Sequence, residues 1–416
     1  MNNNLIGYRC VACGTSQPAE PPPMLCPACG GALDAEYDYD RIAAQLTPAG
    51  LTGDTERSLW RYRALLPVAG TPANRSLQVG GTPLVALPVL AGKFDLGALY
   101  IKDETRQPSG SLKDRATEVA LQHSAEYGQA TVVAASTGNA AASLATLAAH
   151  HGRRAVILVP AGTAAGKLVP IMQCGAMLCP VDGSYDEAFE LVETIARELG
   201  WYSRNSGSNP VLSEGKKTVA LEIAEQLQWE APDKVFVPVG DGCIIGGVYK
   251  GFYDLLQLGW THKLPQLVAV QAAGSAAVVR ALEAGGEIEA VQADTIADGI
   301  RVNLPRDGQK ALRAVRETNG FGITVTDDEI LEAQHALAKG TGIFAEPSAA
   351  AAYAGFKKAL SQRLISPGES VVLLITGSGL KDLPSAGRLV EQPEPVAANL
   401  GAFREFYERF TAGESA

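Results

Sequence analysis

Four short stretches of this chain carry residue types that could do chemistry together. The first is Pro108–Ser109–Gly110–Ser111–Leu112–Lys113–Asp114–Arg115, which puts a primary amine, Lys113, at the mouth of a helix. Such an amine is a nucleophile or base once its pKa falls, and a solvated surface group otherwise. The second stretch, Ser136–Thr137–Gly138–Asn139, joins an apolar run to the small-residue segment Ala140–His150. Hydroxyls and backbone amides at a helix N-terminus make an anion site that fits a carboxylate, although an ordinary helix cap reads the same way. The third is Gly240–Asp241–Gly242–Cys243–Ile244–Ile245–Gly246–Gly247, where glycines let consecutive amides point into one cradle ahead of a helix. A triphosphate loop would need Gly-Lys-Ser/Thr, and a dinucleotide fingerprint would need an acid where Gln271–Ala272–Ala273–Gly274 stands. A monophosphate fits best. The fourth, Thr376–Gly377–Ser378–Gly379–Leu380–Lys381–Asp382, offers a hydroxyl that could bond a ring nitrogen, or a plain turn.

A separate motif lies near the N-terminus. Cys10-x-x-Cys13 and Cys26-x-x-Cys29 are paired knuckles, each followed by glycine (Gly14, Gly30) so that the backbone can turn beneath the sulfurs. Four thiolates in this spacing predict a structural zinc ion, with a disulfide-stapled segment or two unrelated thiol pairs as the alternatives. A closed four-sulfur site leaves the metal no open position for catalysis. Arg9 is the one basic residue among the first forty, which argues against a nucleic-acid-binding ribbon. Cys174, Cys179 and Cys243 have no evident pairing and read as buried thiols.

The loops need a scaffold that presents them side by side. Apolar runs at Thr131–Ala135, Ala155–Val159, Met177–Val181, Lys234–Val239, Gln266–Val270 and Val371–Ile375 predict buried strands. Between them lie amphipathic helices. In Ser184–Leu199, the residues Tyr185, Ala188, Phe189, Val192, Ile195, Ala196 and Leu199 fall on one face. Alternating strands and helices imply parallel sheets covered on both sides, whose ligands bind at the carboxyl ends of strands, where these loops fall. Tyr37, Tyr39, Trp60, Tyr62, Leu65 and Leu66 predict a strap across the body, and the segment after Glu391 a linker and one amphipathic helix. The 416 residues, 46% hydrophobic and 19% charged, describe a well-filled globular protein with room for two domains and an appendage. A net charge of −10 disfavours nucleic acid and anionic membranes as partners. With no basic-then-apolar leader at Met1–Asn4 and no apolar run near the ~20 residues of a membrane span, a cytoplasmic enzyme is the expectation.

In order along the chain, PSGSLKDRA (108–116), ASTGNAAAS (135–143), NSGSNPVLSEGKKT (205–218), PVGDGCIIGG (238–247), EPSAAAA (346–352) and TGSGLKD (376–382) resemble the threonine synthase branch of the pyridoxal-phosphate enzymes of the tryptophan-synthase β type. The similarity starts near Trp60–Arg61–Tyr62–Arg63 and ends at Asp382. It implies an α/β fold of two parallel-sheet, three-layer αβα domains with pyridoxal 5′-phosphate between them (fold type II), beside the N-terminal zinc ribbon. Residues 1–34 would form the ribbon, 35–115 with 231–390 the larger cofactor-binding domain, 116–230 the smaller domain with the carboxylate loop, and 391–416 the linker and helix. The resemblance implies that Lys113 holds the cofactor as an imine and later moves the substrate's α-proton. It implies that Asn139 supports the ring hydroxyl, Gly240, Asp241, Gly242, Cys243 and Ile244 hold the phosphate, and Thr376 faces the pyridine nitrogen. Ser136, Thr137 and Gly138 would receive the carboxylate of an amino-acid substrate, in an enzyme that is commonly a homodimer.

The expected activity is elimination or replacement on an amino acid, with O-phosphohomoserine to threonine as first candidate. The alternative is a serine- or threonine-type ammonia-lyase, or β-replacement on an O-phosphoserine-like substrate. One departure keeps that alternative open: the family carries an arginine for the substrate phosphate where this chain has Leu212. Loss of a bidentate guanidinium contact weakens binding about ten- to hundredfold. Lys216, Lys217 or Arg115 could compensate. Asp241 also puts a carboxylate in the cradle, with its side chain expected to turn away.

Overall fold

The computed structural model describes residues 4–20, 22–390 and 393–414. The N-terminal strands β1 (Leu5–Cys10), β2 (Ser16–Pro18) and β3 (Leu33–Tyr37) make an antiparallel ribbon. Strands β4 (Leu84–Ala86) and β5 (Ala98–Asp103) follow. Next come β6 (Thr131–Ala135), β7 (Arg154–Pro160), β8 (Met177–Val181) and β9 (Tyr202–Ser203), then β10 (Lys234–Pro238), β11 (Gln266–Ala272), β12 (Phe321–Val325) and β13 (Ser370–Ile375). The smaller sheet has order β8-β7-β6-β9 and the larger β12-β11-β10-β13-β5-β4. Every pairing in them is parallel except that of the edge strand β4 with β5.

All six apolar runs are strands, and the central ones are buried along their full length, as expected of parallel strands covered by helices. Met177–Val181 departs from the expectation: it is the edge of the smaller sheet, with Met177 60% exposed. Strands β4, β5, β9 and β12 fall outside those six runs, and β4 is only three residues, Leu84–Val85–Ala86. Strand β5 ends in Lys102 and Asp103, β12 contains Gly322, and β9 has two residues. The helix Tyr185–Leu199 starts at a Ser184–Glu187 capping box and buries Ala188, Phe189 and Val192, whereas Tyr185 and Leu199 at its ends are exposed.

The helix Pro210–Gln226 holds the assembly together. Its residues from Pro210 to Ala224 are buried all round. Glycines allow backbones to touch at two crossings. A Cβ on Gly215 would stand 2.4 Å from the Arg115 carbonyl oxygen, and one on Gly251 would stand 2.5 Å from that of Lys217. The helices Lys113–Glu126 and Cys243–Gln257 are thereby clamped to opposite sides of Pro210–Gln226. The strap residues Tyr37, Trp60, Tyr62, Leu65 and Leu66 are buried in this body. Tyr37 donates to Glu214 (2.7 Å), and Asp34 pairs with Lys310 (3.1 Å) and Arg313, which ties the ribbon to the larger sheet's helices. A helix spans Leu400–Glu414; residues 391–392 and 415–416 of the expected tail, like Met1–Asn3 of the N-terminus, lie outside the described residues. Among the described residues no helix is long and apolar enough to cross a membrane.

Candidate active site

The carboxyl ends of β6, β10 and β13 open into one cavity of about 830 Å³. Lys113, Ser136, Thr137, Gly138, Asn139, Gly240, Asp241, Gly242, Cys243, Ile244 and Thr376 all line it. Main-chain bonds bring Lys113 there. Leu112 N–H donates to the Thr376 carbonyl (2.9 Å) and Ser378 N–H to the Gly110 carbonyl (3.0 Å), so the loop before the lysine helix is stitched to the end of β13. Asp114 then accepts from Ser109 N–H (2.7 Å), closing the loop on itself.

Three helices, Lys113–Glu126, Asn139–His150 and Cys243–Gln257, point their N-termini at this cavity, and no side chain caps any of them. The helices Tyr185–Leu199 and Asp327–Thr341 instead carry complete capping boxes. Free first-turn amides with aligned dipoles can receive anions. Gly242 makes the cradle possible: its φ is +93°, and a Cβ there would lie 2.6 Å from the Asp307 carbonyl oxygen. The Asp241 carboxylate accepts from Arg306 N–H (3.4 Å), turned toward the neighbouring loop.

The cations around the cavity differ in their partners. Burial lowers the Lys113 pKa to about 8, helped by the Lys216 ammonium and the Arg204 guanidinium and opposed by Cys243 and Asp241. At that value about a tenth of the amine is neutral at pH 7 and able to act as nucleophile or base, far more than for an ordinary lysine. Lys216 is fully buried, and its Nζ has no hydrogen-bond partner among the described residues. Burial lowers its pKa as well, with Cys243 at the start of the cradle helix the first group to oppose it. Arg115 and Lys217 are already engaged, the first with Glu104 and Glu222, the second with Glu214 and Asp254. Leu212 packs in the apolar core with Leu59 and Trp60.

Sequence reasoning passed over Glu346 and Arg204, and named Lys216 only as one of three basic residues that could face a substrate phosphate. Glu346 lines the cavity beside Thr376 and accepts from Asn139 Nδ2 (2.7 Å), while Lys381 donates to Asn139 Oδ1 (2.7 Å). Burial pushes the Glu346 carboxyl up, against the pull of Lys381 and Asn139. Its signal was the segment Glu346–Ala352, in which Glu346 stands at the N-cap position of the helix Pro347–Ser361 without a side-chain cap bond.

The cysteines form a second cluster. The sulfurs of Cys10, Cys13, Cys26 and Cys29 lie within 4.8 Å of one another, with Cys10–Cys29 at 3.5 Å and Cys13–Cys26 at 3.7 Å. Thiolates ~2.3 Å from one tetrahedral ion stand about 3.8 Å apart. Gly14 (φ +74°) and Gly30 (φ +71°) turn back onto the Cys10 and Cys26 carbonyls, two matching knuckles, and all four thiols are free of disulfides. Cys243 is a buried thiol and Cys174 is half-buried, but Cys179 is exposed on the edge strand β8.

The profile of the pyridoxal-phosphate dependent enzyme family matches residues 75–377, which contain every residue of the cavity named above. The chain belongs to this family. It is 39% identical to the threonine synthase of Methanosarcina acetivorans over 401 residues, 95% of this chain and 97% of that protein. The threonine synthase of Methanocaldococcus jannaschii is 38% identical over 399 residues, 95% of this chain and 98% of the relative. Among solved structures, an L-serine ammonia-lyase from Rhizomucor miehei superposes with a TM-score of 0.63 at 25% identity, covering 71% of this chain and 93% of that one. This threonine synthase-like chain is a pyridoxal-phosphate-dependent carbon–oxygen lyase on an α/β scaffold of parallel sheets.

Proposed function

We propose that the protein converts O-phosphohomoserine and water to threonine and phosphate. The observation that carries this reading is the convergence of Lys113, the carboxylate loop, the phosphate cradle and Thr376 on one cavity. The group they fit is pyridoxal phosphate: the cradle admits no side chain at Gly242, and the unpartnered Lys216 ammonium calls for an anion. Lys113 would hold the cofactor covalently through Nζ, and the amides of Gly240–Ile244 with Lys216 its phosphate. Asn139, fixed between Glu346 and Lys381, would face the ring hydroxyl with its second amide hydrogen. Thr376 would face the ring nitrogen. When bound, pyridoxal phosphate supplies an electron sink, and a neutral hydroxyl at its nitrogen keeps that sink moderate, as suits elimination and replacement. The amides and hydroxyls of Ser136, Thr137 and Gly138 would orient the substrate by its carboxylate. Lys113, as a neutral amine, would then take the proton from the substrate's α-carbon and return it.

The chain divides in this reading at residues 34, 115, 230 and 390, with the cofactor between the two sheets and a structural zinc on Cys10, Cys13, Cys26 and Cys29. Metal analysis of purified protein should return one zinc per chain; less than half an equivalent with oxidised cysteines would reject the metal. A cytoplasmic homodimer acting on a small amino acid belongs to the same reading.

The cofactor-loaded protein is to be incubated with O-phosphohomoserine and, separately, with threonine and serine. Phosphate and threonine in equal amounts are expected from the first. A 2-oxo acid from threonine or serine, with no phosphate released from O-phosphohomoserine, would overturn the synthase reading in favour of an ammonia-lyase.

A further inference from the structure

We propose that Arg204, with the Ser206 hydroxyl beside it, is the receptor for the phosphate that leaves the substrate. This rests on the reading of an O-phosphorylated amino acid as substrate. Arg204 follows β9 directly, and its backbone N–H continues the pairing by donating to the Val133 carbonyl (2.8 Å). Strand β9 lies next to β6, so residues 204–206 and the carboxylate loop at 136–138 leave the same end of adjacent parallel strands. The Ala135 N–H donates to Asn205 Oδ1 (2.9 Å), which fixes that adjacency. A substrate held by its carboxylate over residues 136–138 therefore has the 204–206 segment as its neighbour.

The chemistry of Arg204 is that of an anion receptor. The side chain is 1% exposed and lines the cavity. Its contacts are all with neutral acceptors: Nε donates to Thr117 Oγ1 (3.0 Å), Nη1 to Ser206 Oγ (3.5 Å) and Nη2 to the Lys113 carbonyl (3.5 Å). A guanidinium carries five N–H donors, so these three contacts leave two unassigned. Burial without a counter-charge is costly to a cation, and it lowers the Arg204 pKa to about 10. The other cavity-lining cations are committed elsewhere. Lys167 and Arg301 pair with Asp298 (2.6 and 2.9 Å), Arg306 reaches Asp186 and Glu190 (3.5 Å each), and Lys113 is the reacting amine. Among the described residues Arg204 is the lining arginine that has no carboxylate within ion-pair distance. The planar fork suits a phosphate, which it can grip through two oxygens at once.

The test uses cofactor-loaded protein, in which the cradle is already filled. Inorganic phosphate is titrated calorimetrically into wild type, Arg204→Met and Arg204→Lys, and kcat and KM for O-phosphohomoserine are measured on the same preparations. Arg204→Met, close in volume and uncharged, should weaken phosphate binding and raise KM about 10–100-fold. Arg204→Lys should recover part of both, because it restores the charge without the fork. Cofactor absorbance and melting temperature should hold in both variants, which separates loss of the receptor from loss of the fold. Phosphate affinity and KM unchanged in Arg204→Met would overturn the proposal, as would absence of phosphate binding by wild type. If wild type binds phosphate through Arg204 but releases none from O-phosphohomoserine, the substrate assignment falls and the anion site stands.

Discussion

Lys113 and Arg115 leave the same turn of one helix, yet they enter opposite electrostatic surroundings. Arg115 belongs to a closed, neutral quartet. It grips Glu104 through Nε (2.8 Å) and Nη2 (2.7 Å), reaches Glu222 through Nη1 (2.6 Å), and shares Glu222 with Lys102 (2.8 Å), while Thr82 and Gln226 fill the remaining bonds. Despite burial, Arg115 and then Lys102 hold the Glu222 carboxyl well below the usual carboxylate range. Lys113, Lys216 and Arg204 form the contrasting set: three cations enclosed by protein, none with a carboxylate at ion-pair distance among the described residues. Burial of charge is common to both groups. The missing counter-charge is what distinguishes a site awaiting an anionic guest from a structural clasp, since a buried cation without a partner is kept only if something else compensates it.

The clasp should fail hardest. Glu222→Ala leaves Arg115 and Lys102 facing Glu104 alone, and breaking a buried pair on one side costs about 3–5 kcal/mol. A denaturant titration measures it, and a loss below about 1 kcal/mol, the scale of an exposed pair, would erase the contrast between the two groups. Lys216→Met should act in the reverse sense. Removing an ammonium without partners leaves the cofactor-free protein at least as stable, whereas affinity for pyridoxal phosphate falls about 10–100-fold. Equilibrium dialysis against the cofactor and the melting temperature of the free protein are the two readings. A variant that melts earlier and binds the cofactor unchanged would make Lys216 structural and move it into the clasp group.

Much of the cavity lining was legible in the chain because three of its loops are contiguous segments directly after an apolar strand. Ser136–Gly138, Gly240–Ile244 and Thr376 could be assigned to strand ends without knowing which strands pair. The paired cysteines were legible for the same reason: spacing alone brings two sulfurs together, and two knuckles make four. Arg204 escaped because β9 contributes two residues, too short a run to register as a strand, so nothing marked position 204 as a strand end.

Residue types and local spacing sufficed to single out Lys113, the loops at strand ends and the four cysteines, which the fold gathers into one cavity and one sulfur cluster, since those features are carried by neighbours in the chain. The states of the charges were decided by the fold. Arg115, Lys216 and Lys217 sit close together in the list of basic residues that could face a phosphate, and only packing separates them. Contacts across 107 positions to Glu222 and 37 to Asp254 neutralise two of them, while Lys216 is left bare. A charge's availability depends on what surrounds it in space, and local sequence does not carry that information.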